Sequence, residues 1–175
     1  AGHDVHLVAP RPVGDPLPVP ESVSVHWLPP TDSRPARLIN AWRSIRSVRR
    51  IRPDVVHFHD PELMPAATLL RLLGTRVVYD VHEDLPADIL QKEWVSSLLR
   101  RPVSLAARAT EWCFTRLIPS AIVPVTEHIA RRFPRRRRVV VQNYPLRDEL
   151  LGGTSGGRAE DRSGFVYVGG ITRDR

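Results

Sequence analysis

Two short apolar runs in this 175-residue chain end on groups that can bind ligands or move protons. The first, Pro53-Asp54-Val55-Val56-His57-Phe58-His59-Asp60, ends on imidazoles and a carboxylate. The second, Thr75-Arg76-Val77-Val78-Tyr79-Asp80-Val81-His82-Glu83-Asp84, ends on an imidazole followed by two carboxylates. Near neutral pH an imidazole can accept a proton or hydrogen-bond to a sugar or phosphate oxygen. His82 is the sharpest candidate for such work, and Glu83 and Asp84 could orient its ring or bind hydroxyls. The plainer alternative makes both acids solvated residues that cap the next helix. His59 and Asp60 stand at the end of their run and are placed for a ligand. Glu62 could serve too, although a helix N-terminus also favours an acid there. Strand alternation puts Val55, His57 and His59 on one face and Val56 and Phe58 on the other. His57 is therefore expected to be buried and hydrogen-bonded in mid-strand.

Together these groups supply enough N and O donors for zinc or manganese. No HExxH or CxxC spacing accompanies them, and the expectation is no metal and no other cofactor.

Such groups act together only if the backbone brings their strand ends together. Apolar runs point to strands near 4–9, 23–28, 54–59, 76–81, 121–125 and 139–142. Helical periodicity points to helices near 36–51, 63–73, 88–100, 103–117 and 126–133. This alternation implies an α/β fold with a Rossmann-like parallel sheet and helices on both faces. In such sheets the ligand crevice lies beyond the carboxyl ends of the strands, where His59, Asp60, His82, Glu83 and Asp84 fall. Residues 10–20, with five prolines, form an extended loop. Gly2 ahead of the first strand reads as the glycine that ends a helix. The expected organisation is a domain over 1–148 that lacks a first strand and its glycine loop. A glycine-rich linker follows over 149–164, and 165–175 form the first strand of a second domain.

The charge is +7, and Lys92 is the only lysine among 26 basic residues. That balance favours polyanionic partners. Arg131–Arg138 is the densest basic run. It lacks a nucleic-acid motif and reads first as a solvated loop, then as a contact for an anionic membrane surface; nucleic acid is not expected. In helix 36–51, Leu38, Ala41, Trp42, Ile45, Val48 and Ile51 line one face at helical spacing. No apolar run approaches the ~20 residues of a membrane span. The lone Cys113 is expected to be a small buried hydrophobe, and its want of a partner fits a reducing, cytoplasmic setting.

The order of these motifs resembles the N-terminal half of a family 4 glycosyltransferase of the GT-B fold. The resemblance runs through Ala1–Pro10, Pro53–Pro61, Val78–Pro86, Ala121–Glu127, Val139–Pro145 and Tyr167–Arg175. It implies two Rossmann-like domains facing a cleft, with the acceptor on the N-terminal side and a nucleotide-sugar donor on the other. It also implies transfer with retention and no divalent metal. By that resemblance His82 contacts the transferring sugar or helps to activate the acceptor. Asn143 precedes the crossover between domains. Gly169 and Gly170 form the turn beside the donor diphosphate, and Arg175 contacts that diphosphate. Position 170 is glycine where many members carry arginine, and the paired-glutamate motif of the second domain does not occur. The chain alone is therefore expected to be inactive, and the activity belongs to its parent. The expected partners are a nucleotide-sugar, a glycan or lipid-linked acceptor and an anionic membrane surface. Rival readings are a nucleotide-sugar epimerase of the same fold, a non-catalytic phosphate- or membrane-binding module, and a metal hydrolase.

Overall fold

The computed structural model describes residues 2–12, 14, 19–31 and 33–144. Strands and helices alternate along them. They run β1 (Val5–Pro10), β2 (Val23–Leu28), α1 (Arg34–Ile51), β3 (Val55–Phe58), α2 (Met64–Leu72) and β4 (Arg76–Val81). After these come α3 (Leu85–Gln91), α4 (Ser97–Leu117), β5 (Ala121–Pro124) and α5 (Glu127–Ala130). Short 3-10 turns lie at Pro61–Leu63 and Arg135–Arg137.

Local chemistry sets the boundaries. A proline in the first turn opens α1, where the missing N–H has no partner to lose. The helix ends at Arg52, which is left-handed (φ 55°) and donates its N–H to the Val48 carbonyl at 2.8 Å. Pro53 follows, and the residue before a proline is steered away from helix. Gly74 (φ 95°) ends the turn after α2, a conformation that glycine adopts without a Cβ clash. From there the chain enters β4 directly.

Among the described residues all the ladders are parallel. β1 pairs β2 from Val5↔Val23 to Pro10↔Leu28, and β4 lies between β3 and β5 in a three-stranded sheet. This is an α/β, Rossmann-like arrangement. Phe58, Val77, Tyr79, Val81 and Ile122 project from one face of the three-stranded sheet into a core closed by Met64, Ala67, Phe114, Ile129 and Phe133. The Phe58 and Tyr79 rings stack at 5.0 Å, and Phe114 meets both edge-on, an arrangement aromatic quadrupoles favour. Ile45 and Val48 of α1 pack on Ala66, Leu70 and Val56 beside it.

Several sequence expectations shift. The break expected at 100–103 falls instead at 92–96, and Pro102 sits inside α4. Proline there removes one helical donor. The packing of α4 on α3 offsets that loss, including Ser104 Oγ donating to the Pro86 carbonyl at 2.7 Å. The strand expected at 139–142 is reduced to one bridge, Ile122↔Arg138. Val139 and Val141 donate to the Ile122 and Pro124 carbonyls, but no regular ladder forms. In α1 only Ala41, Ile45 and Val48 of the expected stripe are buried, while Leu38 and Trp42 are exposed. Cys113 is exposed rather than buried, because Phe114 and Thr115 take the inward positions of that turn. The linker at 149–164 and the strand at 165–175 lie outside the described residues.

Candidate active site

The register of β3 on β4 builds the site. Val56↔Val77, His57↔Val78 and Phe58↔Tyr79 are opposed, so both strands run out at the same edge. Residues two apart share a face, which puts His57 and His59 alongside Asp80 and His82. The side chains meet there. Asp80 Oδ2 lies 3.0 Å from His57 Nε2, 3.2 Å from His59 Nδ1 and 3.1 Å from His82 Nε2. His59 Nδ1 and His82 Nε2 are 3.2 Å apart.

The three rings are half open to solvent, whereas the Asp80 side chain is only 13% exposed. Burial alone would raise its pKa. Hydrogen bonds from His82 and His57 outweigh that and hold the carboxyl below its usual value. Its second oxygen, Oδ1, is buried and has no hydrogen-bond partner among the described residues.

His82 leads into a second network. Asp84 caps α3, accepting the Ala87 N–H at 3.3 Å, and receives Arg132 Nη1 at 2.6 Å. Arg132 also pairs with Glu111, a carboxylate buried in α4. The Tyr79 hydroxyl donates to Glu111 at 3.2 Å. Burial pushes Glu111 upward, against the pull of Arg132. Burial and the neighbouring Glu111 raise the Tyr79 hydroxyl as well, so it remains a donor. This network anchors the β4–α3 turn and thereby the backbone that carries His82. Glu83 is exposed. Burial first, and then the contact with Glu83, raise Asp88.

The sequence candidates separate. His59 and His82 come together. Asp60 turns to Arg37 of α1 (3.8 Å), which also holds Glu62 at 2.5 Å. Asp84 serves as a cap and an ion-pair partner. Asn143 is exposed on the segment past β5 and makes no hydrogen bond to the cluster. Gly169, Gly170 and Arg175 lie outside the described residues. His57, expected to be buried, has a half-exposed side chain, because its face of β3 carries no core cluster.

Sequence reasoning passed over Asp80, Glu111 and Arg132. The signal for Asp80 was present as the two-residue spacing Asp80-Val81-His82 beside His57-Phe58-His59. The basic run is not only a solvated loop. Arg132 enters the ion network, Arg137 donates to the Arg116 carbonyl at 2.8 Å, and Arg138 reaches the Ala130 and Phe133 carbonyls. Arg135 and Arg136 are exposed, as expected. A hollow of about 540 Å³ lined by Arg49, Arg52, Asp54 and Arg76 opens at the amino ends of β3 and β4, away from the histidines. Parallel sheets present ligand sites at their carboxyl ends, and the titratable groups converge there.

Among curated proteins, none matches the chain. The profile of the glycosyl transferase 4-like domain matches residues 1–144, which contain the whole histidine–aspartate cluster. That span is most of the chain and carries the parallel α/β fold, and the chain belongs to the glycosyl transferase 4-like domain family.

Proposed function

We propose that the parent protein moves a hexosyl group, with retention, from a nucleotide-sugar to a hydroxyl of a glycan or lipid-linked acceptor. The product is a cell-surface polysaccharide or glycolipid, made in the cytoplasm at the inner face of a membrane. The observation that carries this reading is the convergence of His59, His82 and Asp80 at the carboxyl ends of two adjacent parallel strands.

The chemistry follows from hydrogen-bond roles. When His82 Nε2–H donates to the Asp80 carboxylate, Nδ1 keeps a lone pair for an acceptor hydroxyl. Asp80 fixes the ring and stabilises its positive form as the proton arrives. His59, Glu83 and Asn143 are assigned to hydroxyls of the bound sugars; Asp60 and Asp84 support the walls of the site through Arg37 and Arg132. The donor's bond breaks toward its diphosphate, whose growing negative charge needs N–H groups and cations. Gly169, Gly170 and Arg175 are assigned that task on the strength of the resemblance.

The test is a panel of nucleotide-sugars offered to the intact protein, read by thermal shift and by release of nucleoside diphosphate. We expect one donor class to stabilise the protein and turn over. His82→Ala should lower kcat by about 100-fold or more while leaving the melting temperature nearly unchanged. Turnover like the wild type in that variant removes His82 from the mechanism, and failure of every donor removes the reading.

A membrane location is favoured by α4. Leu98, Leu105 and Trp112 recur every seven residues and are 87%, 65% and 54% exposed. Arg101, Arg108 and Arg116 are exposed beside them, and Arg116 sits 4.0 Å over the Trp112 ring. An apolar stripe flanked by arginines suits an interface with anionic headgroups. No helix of the described residues is long and apolar enough to cross a membrane. Binding to anionic vesicles should weaken with salt; equal binding to neutral vesicles would count against this reading.

A further inference from the structure

We propose that the hollow where α1 and α2 end and β3 and β4 begin binds a small anion carrying two or more linked phosphoryl groups, held by Arg49, Arg52 and Arg76. The site lies at the opposite strand ends from the histidines and does not depend on the transfer reading.

The hollow measures about 540 Å³, within the size range of small-ligand sites. Val48 and Leu70, both buried, give it an apolar floor. Arg49 comes from the last turn of α1, Arg52 from the residue that ends that helix, and Arg76 from the first position of β4. All three are exposed and line the same recess, brought together by the fold rather than by one basic run. Such a recess favours a small ligand over a lipid surface or a nucleic acid, which need a broad or protruding positive face.

These guanidiniums are unspent. Among the described residues the arginine ion pairs form at Arg37 and Arg132, and Arg49, Arg52 and Arg76 have no side-chain hydrogen bond or ion pair. Asp54, the one carboxylate in the lining, stays out of ion-pair reach of all of them. Two helix C-termini also end here, and each contributes about half a negative charge. Together with Asp54 they offset about two of the three guanidinium charges, so the helix ends do not account for the cluster. The positive charge left over favours an anion, and guanidinium forks grip phosphate oxygens in pairs. Forks spread around a recess of this width suit linked phosphoryl groups better than one tetrahedral ion.

The backbone of Arg52 points the same way. It is the one non-glycine residue with positive φ among the described residues, a conformation that any Cβ disfavours. Glycine is the usual residue at such a helix end, and the turn after α2 uses one, Gly74. At the end of α1 the chain instead keeps an arginine whose side chain lines the hollow. Strained backbone of this kind collects at ligand sites.

The test titrates inorganic pyrophosphate into the intact protein and follows the backbone amide NMR signals of Arg52, Asp54, Gly74 and Arg76. We expect these signals to shift together and saturate, with affinity that falls as salt rises and at least tenfold weaker binding of sulfate. Arg49→Gln and Arg76→Gln should each weaken pyrophosphate about tenfold. Arg135→Gln/Arg136→Gln, an exposed pair elsewhere, should not. Arg52→Gly should weaken binding while the melting temperature holds or rises, because the left-handed backbone is relieved; a fall in melting temperature with affinity intact makes Arg52 purely structural and overturns the proposal. Unshifted signals at these amides, equal affinity for sulfate, or equal losses in the Arg135/Arg136 variant overturn it too. So do anionic vesicles or RNA that shift these amides where pyrophosphate does not. Shifts at these amides in a protein that turns over no nucleotide-sugar sink transfer alone. Full turnover without them sinks this site alone.

Discussion

The two faces of the β3–β4–β5 sheet are made by the same residues of chain, taken alternately, and they do opposite things. On one face Phe58, Val77, Tyr79, Val81 and Ile122 are each 5% exposed or less and disappear under helices. On the other, His57, Asp80 and His82 are polar, and the histidines stay half open. Each face also holds a carboxylate that the protein treats differently. Asp80, ringed by imidazoles, is held below its usual pKa. Glu111, pressed against the apolar side with Tyr79 and Arg132, is driven above it. Strand alternation thus lets one short stretch specify the fold with every second position and a reactive site with the positions between.

Neighbouring substitutions should expose that division. Phe58→Ala removes a ring stacked on Tyr79 and met by Phe114. Loss of a buried phenylalanine costs about 3–5 kcal/mol. His57→Ala, one residue away, removes a half-exposed ring and should cost under about 1 kcal/mol. Denaturant unfolding of the two variants is the measurement. Similar losses would mean that the polar face bears on stability as much as the core does.

Arg132 offers the next largest effect. Breaking a buried pair by removing one partner costs about 3 kcal/mol or more, and Arg132→Met strips both Glu111 and Asp84 of their cation. Because Asp84 caps the helix that follows His82, amide exchange should also quicken at the start of α3. Arg136→Met, in the same basic run but exposed, should stay within about 0.5 kcal/mol. If the two arginines behave alike, the ion network does not position the turn.

Much of the fold could be read before any coordinate. The five strands up to β5 follow from apolar runs bounded by proline, glycine and acids, and α1 and α2 follow from helical spacing. The misplaced features were tertiary in origin. Pro102 marks a helix boundary by its own chemistry, yet packing against α3 keeps α4 continuous through it. Val139–Val141 has strand composition, but only Val139 and Val141 donate to β5 and no regular ladder forms among the described residues. The site was legible in part. The two histidine-bearing ends were visible, and their meeting depended on a register that the sequence does not state. Arg132 was hidden among other arginines, because which member of a basic run turns inward depends on where Glu111 waits, 21 residues earlier.

The smallest effect on folding should come from the exposed stripe of α4, which adds a third kind of surface to the comparison. Leu98 and Leu105 are 87% and 65% exposed. The double variant Leu98→Ser/Leu105→Ser should therefore change unfolding free energy by no more than about 0.5 kcal/mol. The same change should weaken binding to anionic vesicles by about tenfold, since each leucine side chain is worth about 1.5–3 kcal/mol when fully removed from water and an interfacial helix buries only part of it. A protein that loses stability instead, with vesicle binding intact, would show that these leucines are covered in solution and that the open histidine face is the main ligand-facing surface of this sheet.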